Sequence, residues 1–162
     1  LGLKYPGGPL IDKYAKNGNI NAFTFGKPKI KDLNFSFSGL KTSILNQVNS
    51  SVMKNPNFIN DNLNDLCASI QHSIITILLE KVTKAISQTN IKNIAIAGGV
   101  SANSYLRQEL IKLSKKDNLN IYIPKFEFCT DNAAMIAIAG KFKYVNDKTA
   151  DYSESANARL SF

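Results

Sequence analysis

Apolar positions recur along the chain with two different periods, and the switch between them sets the expected elements. Leu10, Ile11, Tyr14 and Ala15 fall at i, i+1, i+4 and i+5, which predicts a short amphipathic helix that Gly18 is suited to end in a left-handed backbone. Two alternating runs follow. Phe23 and Phe25, then Leu33, Phe35 and Phe37, share one face each at period two, with Gly26 and Pro28 between them, so a hairpin with one apolar face is expected. Ser38 is placed to N-cap a helix carrying Leu40, Ile44, Leu45 and Val48, and Asn55-Pro56-Asn57 breaks it. After Asp61 the residues Leu63, Leu66, Cys67, Ile70, Ile74, Ile77, Leu78 and Val82 keep one face apolar for about seven turns, the mark of a central packing helix.

The second half alternates strand and helix patterns. Ile94 to Ala97 reads as a short buried strand that runs through Gly98-Gly99 into a helix aligned by Leu106, Leu110 and Leu113. Ile121 to Ile123 reads as another strand, stopped at Pro124, and a last helix rich in small residues is expected from about Asp131 to Tyr144. The predicted class is therefore α/β, with a parallel or mixed sheet flanked by helices and an antiparallel portion from the opening hairpin. Residues 1–146 form one lobe in this reading and 147–162 a polar tail.

Composition narrows the class. The chain of 162 residues is 44% hydrophobic and 20% charged, enough apolar content for one compact domain. Its longest apolar run, around Ile74 to Leu79, is far short of the roughly twenty residues a membrane helix needs. The N-terminus has neither a Met start nor a signal-peptide pattern, which points to a piece of a longer protein. Two cysteines, Cys67 and Cys129, lack metal or disulfide spacing. A net charge of +8, from eighteen lysines and two arginines, permits a polyanionic partner; amino-acid bias of the genome would produce the same excess.

Four segments are candidates for chemistry. In Gly98-Gly99-Val100-Ser101-Ala102-Asn103, a strand end meets a helix start, where backbone N–H groups and the helix dipole favour a phosphate or ribose and Asn103 can donate and accept. The same segment is equally a plain tight turn with Ser101 as N-cap. In Cys129-Thr130-Asp131-Asn132-Ala133-Ala134-Met135, Asp131 is either a helix-start acid or one ligand of a metal completed from elsewhere. Tyr5-Pro6-Gly7-Gly8-Pro9 bends the chain into the first helix and bares its backbone, and Ser36 to Thr42 places hydroxyls and Lys41 at a further strand-to-helix corner. The single histidine, His72, lies beside the apolar face of the long helix with no ligand at metal spacing, and reads as structural. No catalytic triad, P-loop or GxGxxG is present.

Taken together, YPGGP at 5–9, FSFSGLKT at 35–42, AGGVSAN with the following Leu106-Arg107, and CTDNAAMIA at 129–137 resemble, in order and spacing, the C-terminal half of the tRNA adenosine threonylcarbamoyltransferase family, TsaD, also called Gcp or YgjD and formerly O-sialoglycoprotein endopeptidase. The resemblance covers nearly all of residues 1–145. It implies a ribonuclease-H-like lobe of the actin, Hsp70 and sugar-kinase (ASKHA) superfold, with nucleotide held between two lobes. It implies that Asn103 and Gly8, with Gly98 and Gly99, bind the adenylate substrate, and that Asp131 ligates a single divalent metal, iron or zinc. The implied reaction moves the threonylcarbamoyl group from threonylcarbamoyl-AMP to the adenosine beside the anticodon of tRNAs reading ANN codons. This is cytoplasmic chemistry shared with partner proteins of the pathway, TsaB and TsaE in bacteria.

Against the family pattern, the first lobe with its HxxxH metal ligands is absent, Ile70 stands within what is usually ASFQ, and Gly26-Lys27-Pro28 replaces Pro-Arg-Pro. The expectation is thus an active full-length transferase. The 162-residue chain alone should bind no metal stably, turn nothing over, and self-associate through the apolar surface its missing half would cover. Three other readings compete: the metallopeptidase of the old label, for which no HExxH exists; a non-catalytic nucleotide-binding scaffold lobe; and a sugar or acetate kinase of the same superfold.

Overall fold

A computed structural model describes residues 1–28 and 30–155. The last seven positions of the expected polar tail, 156–162, lie outside the described residues. The elements are α1 (Gly7–Ala15), α2 (Ser38–Lys54), α3 (Phe58–Asp61), α4 (Leu63–Thr89), β1 (Asn93–Ala95), α5 (Ser104–Asp117), β2 (Asn120–Tyr122) and α6 (Ala133–Val145), with short 3-10 turns at Gly99–Ala102 and Phe126–Phe128. The protein is an α/β chain whose sheet is smaller and less covered than expected: among the described residues it has two parallel strands, with Ile94 and Ile121 half-buried on the face toward α4 and α5 and Asn93, Ala95, Asn120 and Tyr122 exposed.

The long helix α4 is the spine. Its apolar periodicity presents different faces to three groups of side chains. Ile70 and Ile77 pack with Phe25 and Leu40; Cys67 and Ala68 pack with Ala15 of α1; Ile75 packs with Leu106 and Leu110 of α5, with Ile121 of β2 alongside. Asn90, with φ 56°, ends α4 in the left-handed conformation that asparagine tolerates.

Strands β1 and β2 pair in parallel, Asn93 opposite Asn120 and Ala95 opposite Tyr122, with α5 as the crossover. Both strands therefore release the chain from the same edge of the sheet, so the segments after them start as neighbours.

The expected hairpin is not formed. Residues 22–25 and 33–37 form no strand: Ala22 lies in a bend, Leu33 in a turn and Phe37 has helical dihedrals, and backbone groups in and between the two runs find side chains of the helices. The Phe23 N–H donates to Ser69 Oγ at 3.1 Å, the Gly26 N–H to Ser43 Oγ at 2.8 Å, and Lys81 Nζ donates to the carbonyls of Ile30 and Asp32 at 3.0 and 2.6 Å. Phe35 and Phe37 stack on each other at 5.9 Å while staying exposed. With no strand before it, Ser36 to Thr42 makes no strand-to-helix corner. Ser38 is the first residue of α2 rather than its cap, and Thr42 Oγ1 turns back to the Ser38 carbonyl.

Gly18 follows α1 without adopting a left-handed backbone. It is needed for close approach: a Cβ there would overlap the Asn64 carbonyl and reach Ala68 Cβ at 2.9 Å, where α1 crosses α4. At the other extreme, α6 has no buried residue and exposes Ile136, Phe142, Tyr144 and Val145, so its small residues are not used here to approach a neighbour. Among the described residues no helix is long and apolar enough to cross a membrane.

Candidate functional site

The glycine corner after β1 is built by three elements. Gly98, with φ 80°, takes a conformation that residues with a Cβ rarely adopt, and the chain then makes a 3-10 turn closed by Ser101 N–H to the Gly98 carbonyl at 3.0 Å. Ser101 Oγ donates to the same carbonyl, so Ser101 does not cap α5. Asn103 does. Its Oδ1 accepts from Leu106 N–H at 2.9 Å, and its Nδ2 donates to Oε1 of the buried Gln71 on α4 at 2.7 Å. Two hydrogen bonds thus fix the side-chain plane of Asn103.

The N-terminus of α5 is already occupied, which changes the phosphate expectation. The carboxylate of Asp12 on α1 accepts from the Ser104 N–H with both oxygens at 3.2 Å and from Ser104 Oγ at 2.9 Å. A carboxylate there satisfies the helix dipole, and a phosphate brought to the same spot would meet a like charge. What stays open is the glycine surface. A Cβ at Gly8, Gly98 or Gly99 would meet nothing within 4 Å, so these backbones are bare toward free space. Gly8 itself lies inside the first turn of α1, one helical turn before Asp12, and the Asp12–Ser104 bonds bring that helix to the Asn103 corner.

Arg107, one turn into α5, joins this corner to the segment after β2. Its Nε donates to the Ser101 carbonyl at 2.6 Å, its Nη2 to the Pro124 carbonyl at 2.7 Å and to Cys129 Sγ at 3.2 Å, and its guanidinium lies 4.0 Å from the centre of the Phe126 ring. From Cys129, which is buried at the end of the second 3-10 turn, the chain continues through Thr130 to Asp131. Asp131 is exposed and does not cap α6. That role belongs to Asn132, whose Oδ1 accepts from Met135 N–H at 2.9 Å.

The donor set for a metal is incomplete. Among the described residues no three His, Cys, Asp or Glu side chains come together as ligands. His72 shares a 2.8 Å hydrogen bond with the Tyr105 hydroxyl, and burial, with the charge of Glu109 adding, pushes the Tyr105 phenol above its ordinary range. The described residues do not by themselves fit a metal ion.

Two corners leave the same edge of the parallel pair, a glycine corner after β1 and the Pro124–Cys129 segment after β2, and Arg107 bridges them, an arrangement of the α/β class in which ligands are commonly held at the carboxyl ends of strands. A family model described as tRNA N6-adenosine threonylcarbamoyltransferase matches residues 1–138. The chain is 54% identical over all 162 residues to a protein of that name from Christiangramia forsetii, covering 48% of that relative's length. It is 55% identical over 157 residues to one from Riemerella anatipestifer, with 97% of this chain and 46% of the relative covered. It is 54% identical over 142 residues to one from Fervidobacterium nodosum, with 86% and 42% covered. The chain belongs to the TsaD family, and spans about half the length of the curated relatives it matches.

Proposed function

We propose that this chain is one lobe of a tRNA N6-adenosine threonylcarbamoyltransferase, of the ASKHA type, in which residues 1–146 carry the site and 147–162 form a tail. The observation that carries the reading is the joining of the Asn103 corner, the Gly8 helix and the loop to Asp131 through Asp12 and Arg107.

The substrates in this reading are threonylcarbamoyl-AMP and the anticodon-flanking adenosine of tRNA. The bare faces of Gly8, Gly98 and Gly99 let the nucleoside part of the adenylate lie against backbone, where any side chain would hold it off. Asn103, held in one plane, offers its remaining amide hydrogen and lone pair to the ligand without reorganisation on binding. The Asp12 carboxylate would keep the adenylate's phosphate away from the start of α5. Asp131 would be one ligand of a divalent metal, iron or zinc, whose other ligands come from outside this chain and which would supply Lewis-acid polarisation. The net charge of +8 suits a polyanionic tRNA, and TsaB and TsaE are the protein partners in a bacterial cytoplasm. The apolar side chains of α6 are the surface a companion lobe covers, and in its absence they promote self-association.

The experiment is direct. The full-length protein is incubated with threonylcarbamoyl-AMP and unmodified tRNA, with pathway partners added, and the digested tRNA is analysed by mass spectrometry. Threonylcarbamoyladenosine is expected, and it should be lost when Asn103 or Asp131 is replaced by Ala. Unmodified tRNA under conditions where a family relative is active would overturn the reading.

A further inference from the structure

We propose that Arg107 is a positioning residue that sets the spacing between the Asn103 corner and the segment delivering Asp131. The inference rests on the site reading given above. Arg107 is half-buried on α5, four residues beyond Asn103, and among the described residues its guanidinium meets only groups outside the α-helices and strands: the Ser101 carbonyl before the helix, the Pro124 carbonyl and Cys129 thiol after β2, and the face of Phe126. Its partners are carbonyls, a thiol and a ring rather than a carboxylate, so the guanidinium is spent on geometry, not on charge neutralisation.

The planar fork matters here. Nε points back to one corner while Nη2 points to the other, and the ring beneath fixes the plane, so the two corners are held at a separation set by the width of a guanidinium. A lysine has one nitrogen and no plane, and can satisfy only part of this set. Cys129 gives the clasp a reporter. Its Sγ receives from Arg107 and donates to the Lys125 carbonyl at 3.4 Å, and it stays buried while the loop is held.

The test uses the full-length protein with Arg107→Gln and Arg107→Lys, and with Asn103→Ala and Asp131→Ala as benchmarks. Each is assayed for kcat and KM of threonylcarbamoyl transfer and for the labelling rate of Cys129 by a thiol reagent. With positioning, Arg107→Gln speeds Cys129 labelling and lowers kcat, each by about tenfold or more, while KM for tRNA moves less than about twofold. Arg107→Lys falls between it and wild type in both. Should Arg107→Gln not fold, the same graded pair of changes is read from Arg107→Lys and from Phe126→Leu, which removes only the ring under the guanidinium.

Faster labelling with unchanged kcat overturns the proposal, as does a fall in kcat with labelling unchanged. If Asn103→Ala and Asp131→Ala abolish transfer while the Arg107 variants do not alter kcat, only the positioning role fails. If the two benchmarks also leave transfer intact, the site reading itself fails.

Discussion

Replacing Asn103 with Ala tests the local architecture of the site through stability alone. The change removes the cap bond to Leu106 N–H, worth about 1 kcal/mol at a helix N-terminus. It also strips the donor from Oε1 of Gln71, a side chain only 7% exposed, and an orphaned buried acceptor costs about 1–3 kcal/mol. The sum is about 2–4 kcal/mol, or a melting temperature lowered by roughly 4–16 °C for a chain of this size. Asn103→Ser separates the two contributions, since a serine caps as well as an asparagine but is too short to reach Gln71, so it should recover about 1 kcal/mol of the alanine loss. The double variant Asn103→Ala, Gln71→Leu leaves no orphan and should be more stable than Asn103→Ala alone, because removing both partners of a buried hydrogen bond is close to neutral. Urea unfolding followed by far-ultraviolet circular dichroism measures all four proteins. An alanine loss below about 1 kcal/mol, or no recovery on adding Gln71→Leu, would refute the paired cap-and-amide arrangement.

Three further outcomes are expected. Gly18→Ala places a Cβ against the Asn64 backbone at the α1–α4 crossing and should destabilise by about 3 kcal/mol or more in the same unfolding assay, the upper range for overpacking, because backbone cannot rotate away. Gly99→Ala meets nothing within 4 Å and should leave stability within about 0.5 kcal/mol of wild type while lowering threonylcarbamoyl transfer by about tenfold, since the methyl occupies the ligand's side of the backbone. Burial pushes the Cys67 thiol above its ordinary value of 9.0. The neutral thiol's contribution is therefore full below that ordinary value and is lost as pH rises through the higher folded value, so unfolding free energy measured against pH should decline on the alkaline side and not between pH 6 and about 8.

The long-period helices were legible because 27 residues of α4 repeat one apolar stripe, and β1 and β2 because each is bracketed by a helix pattern, although each strand is only three residues long. The aromatic alternation at residues 22–37 misled for a physical reason: Phe25 is buried by α2 and α4, and the neighbouring N–H groups are taken by serines 43 and 69 seventeen and forty-six residues away. In the first run period two marks the buried side without a paired strand, and in the second it marks neither, since Leu33, Phe35 and Phe37 are all exposed.

The site's glycines and Asn103 were visible in the motif, but the cap was misassigned to Ser101 because a 3-10 turn intervenes between glycine corner and helix. Asp12 was not singled out, and Arg107 entered only as the end of the glycine-asparagine motif, with no role of its own. Asp12 reads as an exposed acid of a short helix and acts ninety-two residues away on Ser104. Arg107 had one available signal, an arginine one turn after the capping asparagine in a chain whose cations are otherwise almost all lysines, which asks why a planar fork is needed at that position.

That the Asn103 corner and Asp131 serve one reacting group is tested most directly by a double-mutant cycle on threonylcarbamoyl transfer in the full-length protein, with Asn103→Ala, Asp131→Ala and both together. A shared site gives coupled losses, the double variant falling short of the summed single effects by about 1 kcal/mol or more in activation free energy. Additive losses to within about 0.3 kcal/mol, or an unchanged rate on removing Asp131, would contradict it.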